Sequence, residues 1–198
     1  MIGVEDIRAA LALPTPAISS DFDYAPELKP ETRELRAAAV LIALTQGPSG
    51  LSVVLTRRAA HLRNHPGQVA FPGGKVEPSD AGLWEAALRE ADEEIGLPPK
   101  QVERLGVIQG HESVTGFKIS PQVGLVHGVF KAAPDPNEVE EIFCVPLDFL
   151  LDPANMQLHS KPWCGIPRGY LAIPFGPHYI WGASARMIKN MAERLAAL

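Results

Sequence analysis

Residues 71–97 read FPGGKVEPSDAGLWEAALREADEEIGL, a glycine-rich turn followed by a helical segment with three closely spaced glutamates. At 100° per residue, Glu90, Glu93 and Glu94 fall on one face of the helix. Like charges four residues apart destabilise a helix by about 0.2–0.5 kcal/mol per pair. From these residues alone, the face is either a solvated acidic stripe or a set of hard oxygen ligands for a divalent cation, which would remove the repulsion.

The residues around the acidic face orient the helix. A core-facing side beside the glutamates is defined by apolar residues at helical spacing, namely Trp84, Leu88, Ala91 and Ile95. Ala86 and Ala87 flank the carboxylates, and their small side chains predict open space above the glutamates. Upstream, Gly73 and Gly74 can bring backbone groups close to whatever the glutamates hold.

Apolar and β-branched runs on both sides of this helix predict the strands of a sheet. They cover residues 37–45, 51–56, 69–74, 102–110 and 119–130. Ser79 or Asp80 is predicted to cap the helix, and Pro98 and Pro99 to stop it after Gly96. This order of elements predicts an α/β fold with a mixed sheet between helices.

The two ends of the chain have their own patterns. Residues 4–13 predict a short amphipathic helix, and the four prolines in residues 14–30 predict an extended strap. We therefore expect residues 1–34 to form an N-terminal helix and strap, and residues 35–198 to form the main domain. Residues 180–198 predict a long terminal helix with an apolar stripe of Met187, Ile188, Met191 and Leu195.

Composition limits the classes of partner and compartment. The 198 residues carry a net charge of −5 and contain no run of lysine and arginine, which argues against binding to long nucleic acid. No apolar run is long enough to span a bilayer. Cys144 and Cys164 are predicted to be free thiols in a reducing compartment. These features indicate a cytoplasmic protein. They leave open the binding of a compact polyanion through a metal, and they leave a homodimer open.

The segment from residue 71 to residue 97 resembles the Nudix box, the signature of hydrolases that cleave a nucleoside diphosphate linked to another group. Arg89 to Leu97 follow the pattern Arg-Glu-apolar-x-Glu-Glu-x-Gly-apolar. Asp80 stands where the pattern has glutamate, and eight residues instead of seven separate it from Arg89. The resemblance implies a Nudix α/β/α sandwich with a mixed sheet, in which the box forms a loop, a helix and a loop, and it implies Mg²⁺ or Mn²⁺ as the cofactor.

Two further segments are similar to the branch of this family that hydrolyses coenzyme A. Residues 55–74 read LTRRAAHLRNHPGQVAFPGG, and residues 180–188 read IWGASARMI. The branch implies hydrolysis of coenzyme A or acyl-coenzyme A to adenosine 3′,5′-bisphosphate and (acyl-)4′-phosphopantetheine. Two alternatives stay open. One is a diphosphatase for ADP-ribose, a nucleotide sugar, a dinucleotide or a nucleoside triphosphate, and the other is a nucleotide-binding protein without turnover.

The resemblance also implies roles for particular residues. Glu90 and Glu94 are the expected metal ligands, assisted by Glu93 and by the Gly74 carbonyl. Arg89 is expected to orient the acids through an ion pair. Contacts with the substrate are expected from the upstream motif and the glycine turn, that is from Arg57, Arg63, His65, Gln68, Gly73 and Gly74. His65 has an alternative role, in which it holds its loop in shape by a backbone hydrogen bond.

A general base is expected among the acids that follow the PDPN loop. Glu138 is the candidate by position, with a charged strand edge as the alternative reading. Strand alternation predicts that Glu140 shares its face and that Glu141 points the other way. Trp163 and Trp181 are predicted to lie in the core instead of forming platforms for a base.

Overall fold

The computed structural model describes residues 1–163 and 165–198, so Cys164 lies outside the described residues. The helices are α1 (Val4–Ala12), α2 (Leu83–Ile95), α3 (Leu147–Leu151) and α4 (Ala183–Leu195). The strands up to the end of the glycine turn are β1 (Ser19–Ser20), β2 (Arg36–Gly47), β3 (Gly50–Arg58), β4 (Val69–Ala70) and β5 (Gly73–Lys75). The later strands are β6 (Val102–Val107), β7 (His111–Glu112), β8 (Phe117–Val126), β9 (Val139–Pro146), β10 (Gln157–Trp163), β11 (Ile166–Phe175) and β12 (His178–Trp181).

A mixed sheet forms the centre of the molecule. Strands β2 and β3 make an antiparallel hairpin that closes at Gly47 and Gly50. Strand β8 runs parallel to β2 over ten residue pairs, from Arg36 opposite Phe117 to Thr45 opposite Val126. Strand β9 extends the sheet antiparallel to β3. The predicted mixed sheet is therefore confirmed.

Side-chain alternation along β2 and β3 gives the sheet two apolar faces. On one face, Leu41 and Val54 belong to a core that includes Ala87 and Ile95 of α2. On the other face lies a second core, built from β2 and β3 together with residues of α1, α3 and α4, including Leu44, Leu55, Ile7, Leu150, Met187 and Met191. Helices thus cover both faces, as an α/β/α sandwich requires.

Helix α2 lies close to the sheet, and small residues make this possible. Ala91 and Ile95 are fully buried as predicted. Ala86 and Ala87 are also 0% exposed, so they pack in the core and do not provide the open space that was predicted above the glutamates. Their methyl groups instead face the small residues of β2, where Ala39 and Ala43 belong to the same core. Alanine at these positions therefore sets the short distance between helix and sheet.

Strands β10, β11 and β12 form a second, antiparallel sheet that the sequence patterns did not predict. Prolines at positions 162, 167 and 174 hide it, since proline is uncommon inside strands. Ile180 and Trp181, predicted as the start of the terminal helix, belong to β12. The helix begins at Ala183, after Gly182 with a φ of +63°, a left-handed conformation that glycine adopts most readily.

The N-terminal segment is held to the rest of the fold by hydrogen bonds. Strand β1 pairs in parallel with β7, with Ser19 opposite His111. Arg194 of α4 is 3% exposed and donates to the carbonyl oxygens at the end of α1, at 2.8 Å from Ala10, 3.1 Å from Leu11 and 2.7 Å from Leu13. Among the described residues, no helix has both the length and the apolar character needed to cross a bilayer. The division at residue 35 stays a prediction.

Replacing the buried guanidinium should weaken this attachment. We expect Arg194→Met to lower the free energy of unfolding by about 2–4 kcal/mol, because three carbonyl groups lose a charged donor in a buried site. For a chain of this length the melting temperature should fall by roughly 5–10 °C. Thermal unfolding followed by circular dichroism measures the change. The matched control is Lys189→Met on the same helix, where the ion pair with Glu193 is exposed and contributes less than about 1 kcal/mol. Equal melting temperatures for both variants would contradict this account.

Candidate active site

The C-terminal half of α2 brings Glu94 against the glycine turn. The side chain is almost completely buried, with 5% of the residue exposed. One carboxylate oxygen accepts a hydrogen bond from the Gly73 backbone N–H at 3.1 Å. Gly73 has a φ of +152°, a conformation that side chains disfavour, and a Cβ there would collide with the backbone of β2. The turn and the acid therefore determine each other's positions.

Glu90 lies one helical turn earlier and meets the next glycine. A Cβ at Gly74 would stand 2.5 Å from the carboxylate carbon of Glu90, which is closer than any non-bonded contact allows. The missing side chain at position 74 thus leaves room for the Glu90 carboxylate beside the main chain. Glutamate oxygens next to an accessible backbone are the type of ligand set that Mg²⁺ prefers, completed by waters and phosphates.

Both carboxyl groups have pKa values above their ordinary range. For Glu94 burial is the largest cause; the hydrogen bond from Gly73 opposes it, while the charges of Glu90 and Glu138 add to it, and together they raise the pKa to about 8. For Glu90 burial again raises the pKa, and the Arg89 guanidinium counteracts part of the effect. Two neighbouring acids with raised pKa values, one of them buried, fit a bound divalent cation, which would compensate both charges.

Arg89 binds carboxylates, as predicted. It lies 2.9 Å from Glu93 and 3.1 Å from Glu90, and it makes two hydrogen bonds to Asp80, at 2.9 Å and 3.1 Å. The hydrogen bond from Arg89 lowers the pKa of Asp80 and raises that of the arginine. Asp80 is therefore the anchor of this arginine and does not cap α2, whose N-cap is Gly82. The prediction that Ser79 or Asp80 caps this helix is therefore wrong.

Glu93 differs from the other two glutamates. Its side chain is 60% exposed and points to Arg89, and it does not line the cavity described below. Among residues 1–163 and 165–198, no three His, Cys, Asp or Glu side chains form a ready-made metal cage. Of the three glutamates, Glu90 and Glu94 therefore face the cavity and Glu93 does not, and their role as metal ligands stays a prediction.

A cavity of about 680 Å³ opens over this acid pair. Several of the predicted site residues line it together, namely His65, Gln68, Gly73, Gly74, Glu90, Glu94 and Glu138. The volume falls within the range of about 300–1,000 Å³ that is usual for small-molecule sites. Residues of the upstream motif and the helix glutamates therefore line the same cavity.

Two predicted substrate contacts lie outside this cavity. Arg57 pairs with Glu141 at 3.0 Å and with Glu140 at 3.4 Å, while Arg63 is exposed on the following loop and does not line the cavity. Arg58, which was not predicted, lines the cavity instead. Neighbouring side chains on a strand point to opposite faces, so only one of two consecutive arginines on β3 can face the site.

His65 and Glu138 line the cavity from two loops. His65 has a φ of +55°, and its carbonyl oxygen accepts a hydrogen bond from the Gln68 N–H at 3.2 Å, so its backbone shapes the turn. The exposed Glu138 precedes β9, and its carbonyl accepts a hydrogen bond from Ala59. A bulge in β9 lies opposite Arg57 and Arg58. It interrupts the alternation predicted for Glu140 and Glu141, which both reach Arg57.

The sequence interpretation missed a further wall of the cavity. It comes from the three-stranded sheet and carries Lys161, Trp163, Arg168, Tyr170 and Trp181. Trp163 is 43% exposed, so its predicted place in the core is wrong, and Trp181 is half-buried at the cavity. The sequence contains a pattern that indicates this wall. On β10 Lys161 and Trp163 are two positions apart, and on β11 Arg168 and Tyr170 are two positions apart, which is the period of one strand face.

Three comparisons with known proteins agree on one family. A family model described as the NUDIX domain matches residues 34–163. Curated relatives named "Uncharacterized Nudix hydrolase NudL", from Salmonella paratyphi B and Salmonella enteritidis, are each 38% identical to this chain over 170 residues, which is 86% of this chain and 88% of theirs. A solved MutT/nudix family protein from Enterococcus faecalis has a TM-score of 0.50 at 15% identity and covers 88% of this chain and 67% of its own, which shows a shared fold.

The raised pKa of Glu94 predicts how stability depends on pH. Its folded-state pKa of about 8 lies above the ordinary value of 4.5. The folded chain therefore retains a proton that the unfolded chain releases, and this contribution to stability is complete below about pH 4.5 and is lost as the pH rises through about 8. In EDTA, we expect the melting temperature of the wild type to fall between about pH 5 and pH 8.5 more steeply than that of Glu94→Gln.

The comparison of variants makes this prediction specific. At the alkaline end, Glu94→Gln should exceed the wild type by roughly 2 °C or more. Glu85→Gln, on the exposed side of the same helix, is the matched control and should follow the wild type. Parallel curves for all three proteins would show that Glu94 ionises normally in the folded state.

Proposed function

The chain belongs to the Nudix hydrolase family, and we propose that its substrate is coenzyme A or an acyl derivative of coenzyme A. The products would be adenosine 3′,5′-bisphosphate and (acyl-)4′-phosphopantetheine. One observation carries the proposal: the motif that resembles the coenzyme A branch contributes Arg58, His65 and Gln68 to the same cavity as Glu90 and Glu94. In this proposal, the motif binds the substrate beside the glutamates at which its diphosphate is hydrolysed.

We propose that Glu90 and Glu94 hold the divalent cation that Nudix hydrolases generally use, here Mg²⁺ or Mn²⁺. The support is the burial of Glu94, the partial burial of Glu90 one helical turn earlier, and the space that Gly74 leaves beside Glu90. The main chain of Gly74 is a further ligand in this proposal, and Glu93 acts through water from the edge. When bound, the ion would neutralise the diphosphate oxygens and lower the pKa of a water molecule.

The remaining residues hold the glutamates in position or accept a proton. Arg89 holds Glu90 and Glu93 in place from its anchor on Asp80, so it is a positioning residue. Glu138 faces the cavity from solvent and is the proposed acceptor of a proton from the attacking water. The water oxygen forms a bond to phosphorus, the bridging P–O bond breaks, and the bridging oxygen leaves with the second phosphate.

Recognition of the diphosphate half needs cationic donors. We propose Arg58 for this role in place of Arg57, because the charge of Arg57 is already paired with two glutamates outside the cavity. An arginine suits this role because its planar fork can donate two hydrogen bonds to a phosphate. Gln68 and His65 add donors on the same side.

Product analysis tests the substrate. The protein is incubated with coenzyme A, dephospho-coenzyme A, ADP-ribose or dATP, each with Mg²⁺, Mn²⁺ or EDTA, and the products are separated by liquid chromatography. We expect adenosine 3′,5′-bisphosphate from coenzyme A, at a rate higher than for the other substrates and only with metal. Faster cleavage of ADP-ribose or dATP would reject coenzyme A and retain the hydrolase. Cleavage of none would favour a binding protein.

A pair of helix variants tests the metal ligands. Glu94→Gln keeps the shape of the side chain and removes its charge, so we expect kcat to fall at least about 100-fold, the scale seen when one preorganised electrostatic group is lost. Glu85→Gln, on the exposed side of the same helix, should keep the wild-type kcat. Unfolding curves at pH 6 exclude loss of fold. Wild-type turnover by Glu94→Gln at saturating Mg²⁺ would overturn the assignment.

A further inference from the structure

The wall that the three-stranded sheet contributes to the cavity carries two cations side by side. Lys161 of β10 lies directly opposite Arg168 of β11 in the antiparallel register, so both side chains project from the same face. Both line the cavity. Like charges placed directly opposite each other destabilise a pair of strands. The arrangement therefore suits a site where an anion lies between or beside the two cations.

The two cations are not equally compensated within the chain. The guanidinium of Arg168 lies 3.4 Å from a carboxylate oxygen of Asp21 in the N-terminal strap. Asp21 also accepts a hydrogen bond from the Val114 N–H at 2.8 Å, so its oxygens are engaged by the protein. Among the described residues no carboxylate forms an ion pair with Lys161, which is exposed at the cavity. The wall thus keeps unpaired positive charge, in contrast to the acidic face of α2.

Aromatic rings surround the two cations. The guanidinium of Arg168 lies 5.4 Å from the ring centroid of Trp163, and the ammonium of Lys161 lies 6.0 Å from that of Trp181. Tyr170 lines the same wall and meets Trp181 edge-on at 5.4 Å. A tryptophan that is 43% exposed at a cavity offers a large flat surface for a ligand base. Flat rings combined with cations suit a nucleoside that carries a phosphate.

We propose that this wall is the subsite for the base and the 3′-phosphate of the adenosine half of the substrate. Lys161 and Arg168 bind the phosphate that is not hydrolysed, and Trp163 stacks on the base. The inference rests on the proposed function and deepens it, because the 3′-phosphate is the group that distinguishes coenzyme A from dephospho-coenzyme A. The cations that distinguish coenzyme A from dephospho-coenzyme A then lie in the second sheet and not in the upstream motif. Asp21 is a positioning residue that holds Arg168.

Kinetics with two matched substrates test the subsite. We measure kcat/KM for coenzyme A and for dephospho-coenzyme A in the wild type, Lys161→Ala, Arg168→Ala, Trp163→Leu and the control Lys100→Ala, an exposed lysine outside the cavity. The preference for coenzyme A should fall roughly tenfold or more in the two cation variants, as expected for loss of a charged hydrogen bond. Lys100→Ala should keep the wild-type preference, and Trp163→Leu should raise KM for both substrates by similar factors.

A binding measurement separates failure of the subsite from failure of the proposed function. Calorimetry compares adenosine 3′,5′-bisphosphate with AMP, which lacks the 3′-phosphate, in the wild type and in Lys161→Ala. The subsite is supported if the wild type binds the bisphosphate more tightly than AMP and Lys161→Ala binds both nucleotides equally. This result would support the subsite even if the wild type cleaved ADP-ribose faster than coenzyme A, which would reject the proposed function. An unchanged substrate preference in Lys161→Ala, or equal binding of the two nucleotides by the wild type, overturns the subsite while coenzyme A cleavage can still stand.

Discussion

The cavity depends on one constraint, the burial of the Glu94 carboxyl group where helix α2 meets the Gly73–Gly74 turn. Burial disfavours its charge, and one backbone hydrogen bond compensates only part of that cost. The nearby carboxylate of Glu90 adds repulsion. The turn needs glycine at position 73, since a Cβ there would collide with the backbone of β2, whereas a Cβ at position 74 would displace the Glu90 carboxylate. A local cost to stability of this kind is typical of a site that is completed by its ligand.

Two other parts of the structure support this centre. Arg89 is fixed by Asp80 and pairs with Glu90 and Glu93, so the acidic face of α2 is held in place from the loop before the helix. The N-terminal strap supports the opposite wall, where Asp21 pairs with Arg168, and it contacts α4, where Asp23 pairs with Arg186 at 2.9 Å. Arg194 fastens helix α1 to α4. The segment that precedes the family match is thus joined by ion pairs and hydrogen bonds to the strands and helix that follow it.

The sequence predicted the elements whose patterns are local and periodic. The hairpin of β2 and β3, the helix with its buried Ala91 and Ile95, and the mixed sheet between helices all followed from apolar spacing. The proline-rich second sheet did not, because its strands lack that spacing. For the site, the glutamates and glycines were identified by resemblance. Which of Arg57 and Arg58 faces the cavity depends on how β3 is oriented in the folded sheet. The pairing of both Glu140 and Glu141 with Arg57 depends on a bulge that no local pattern indicates.

The second sheet separates part of the cavity wall from the glutamates and the glycine turn along the chain, and this separation bears on how the protein can evolve. The segment matched by the family model ends at Trp163, so β11, β12 and α4 lie beyond it. Substitutions on β11 and β12 can therefore alter the wall of the cavity while the helix glutamates and the glycine turn stay as they are. If this wall binds the adenosine half as proposed, substitutions in the C-terminal hairpin would change the substrate and leave the hydrolytic reaction unchanged.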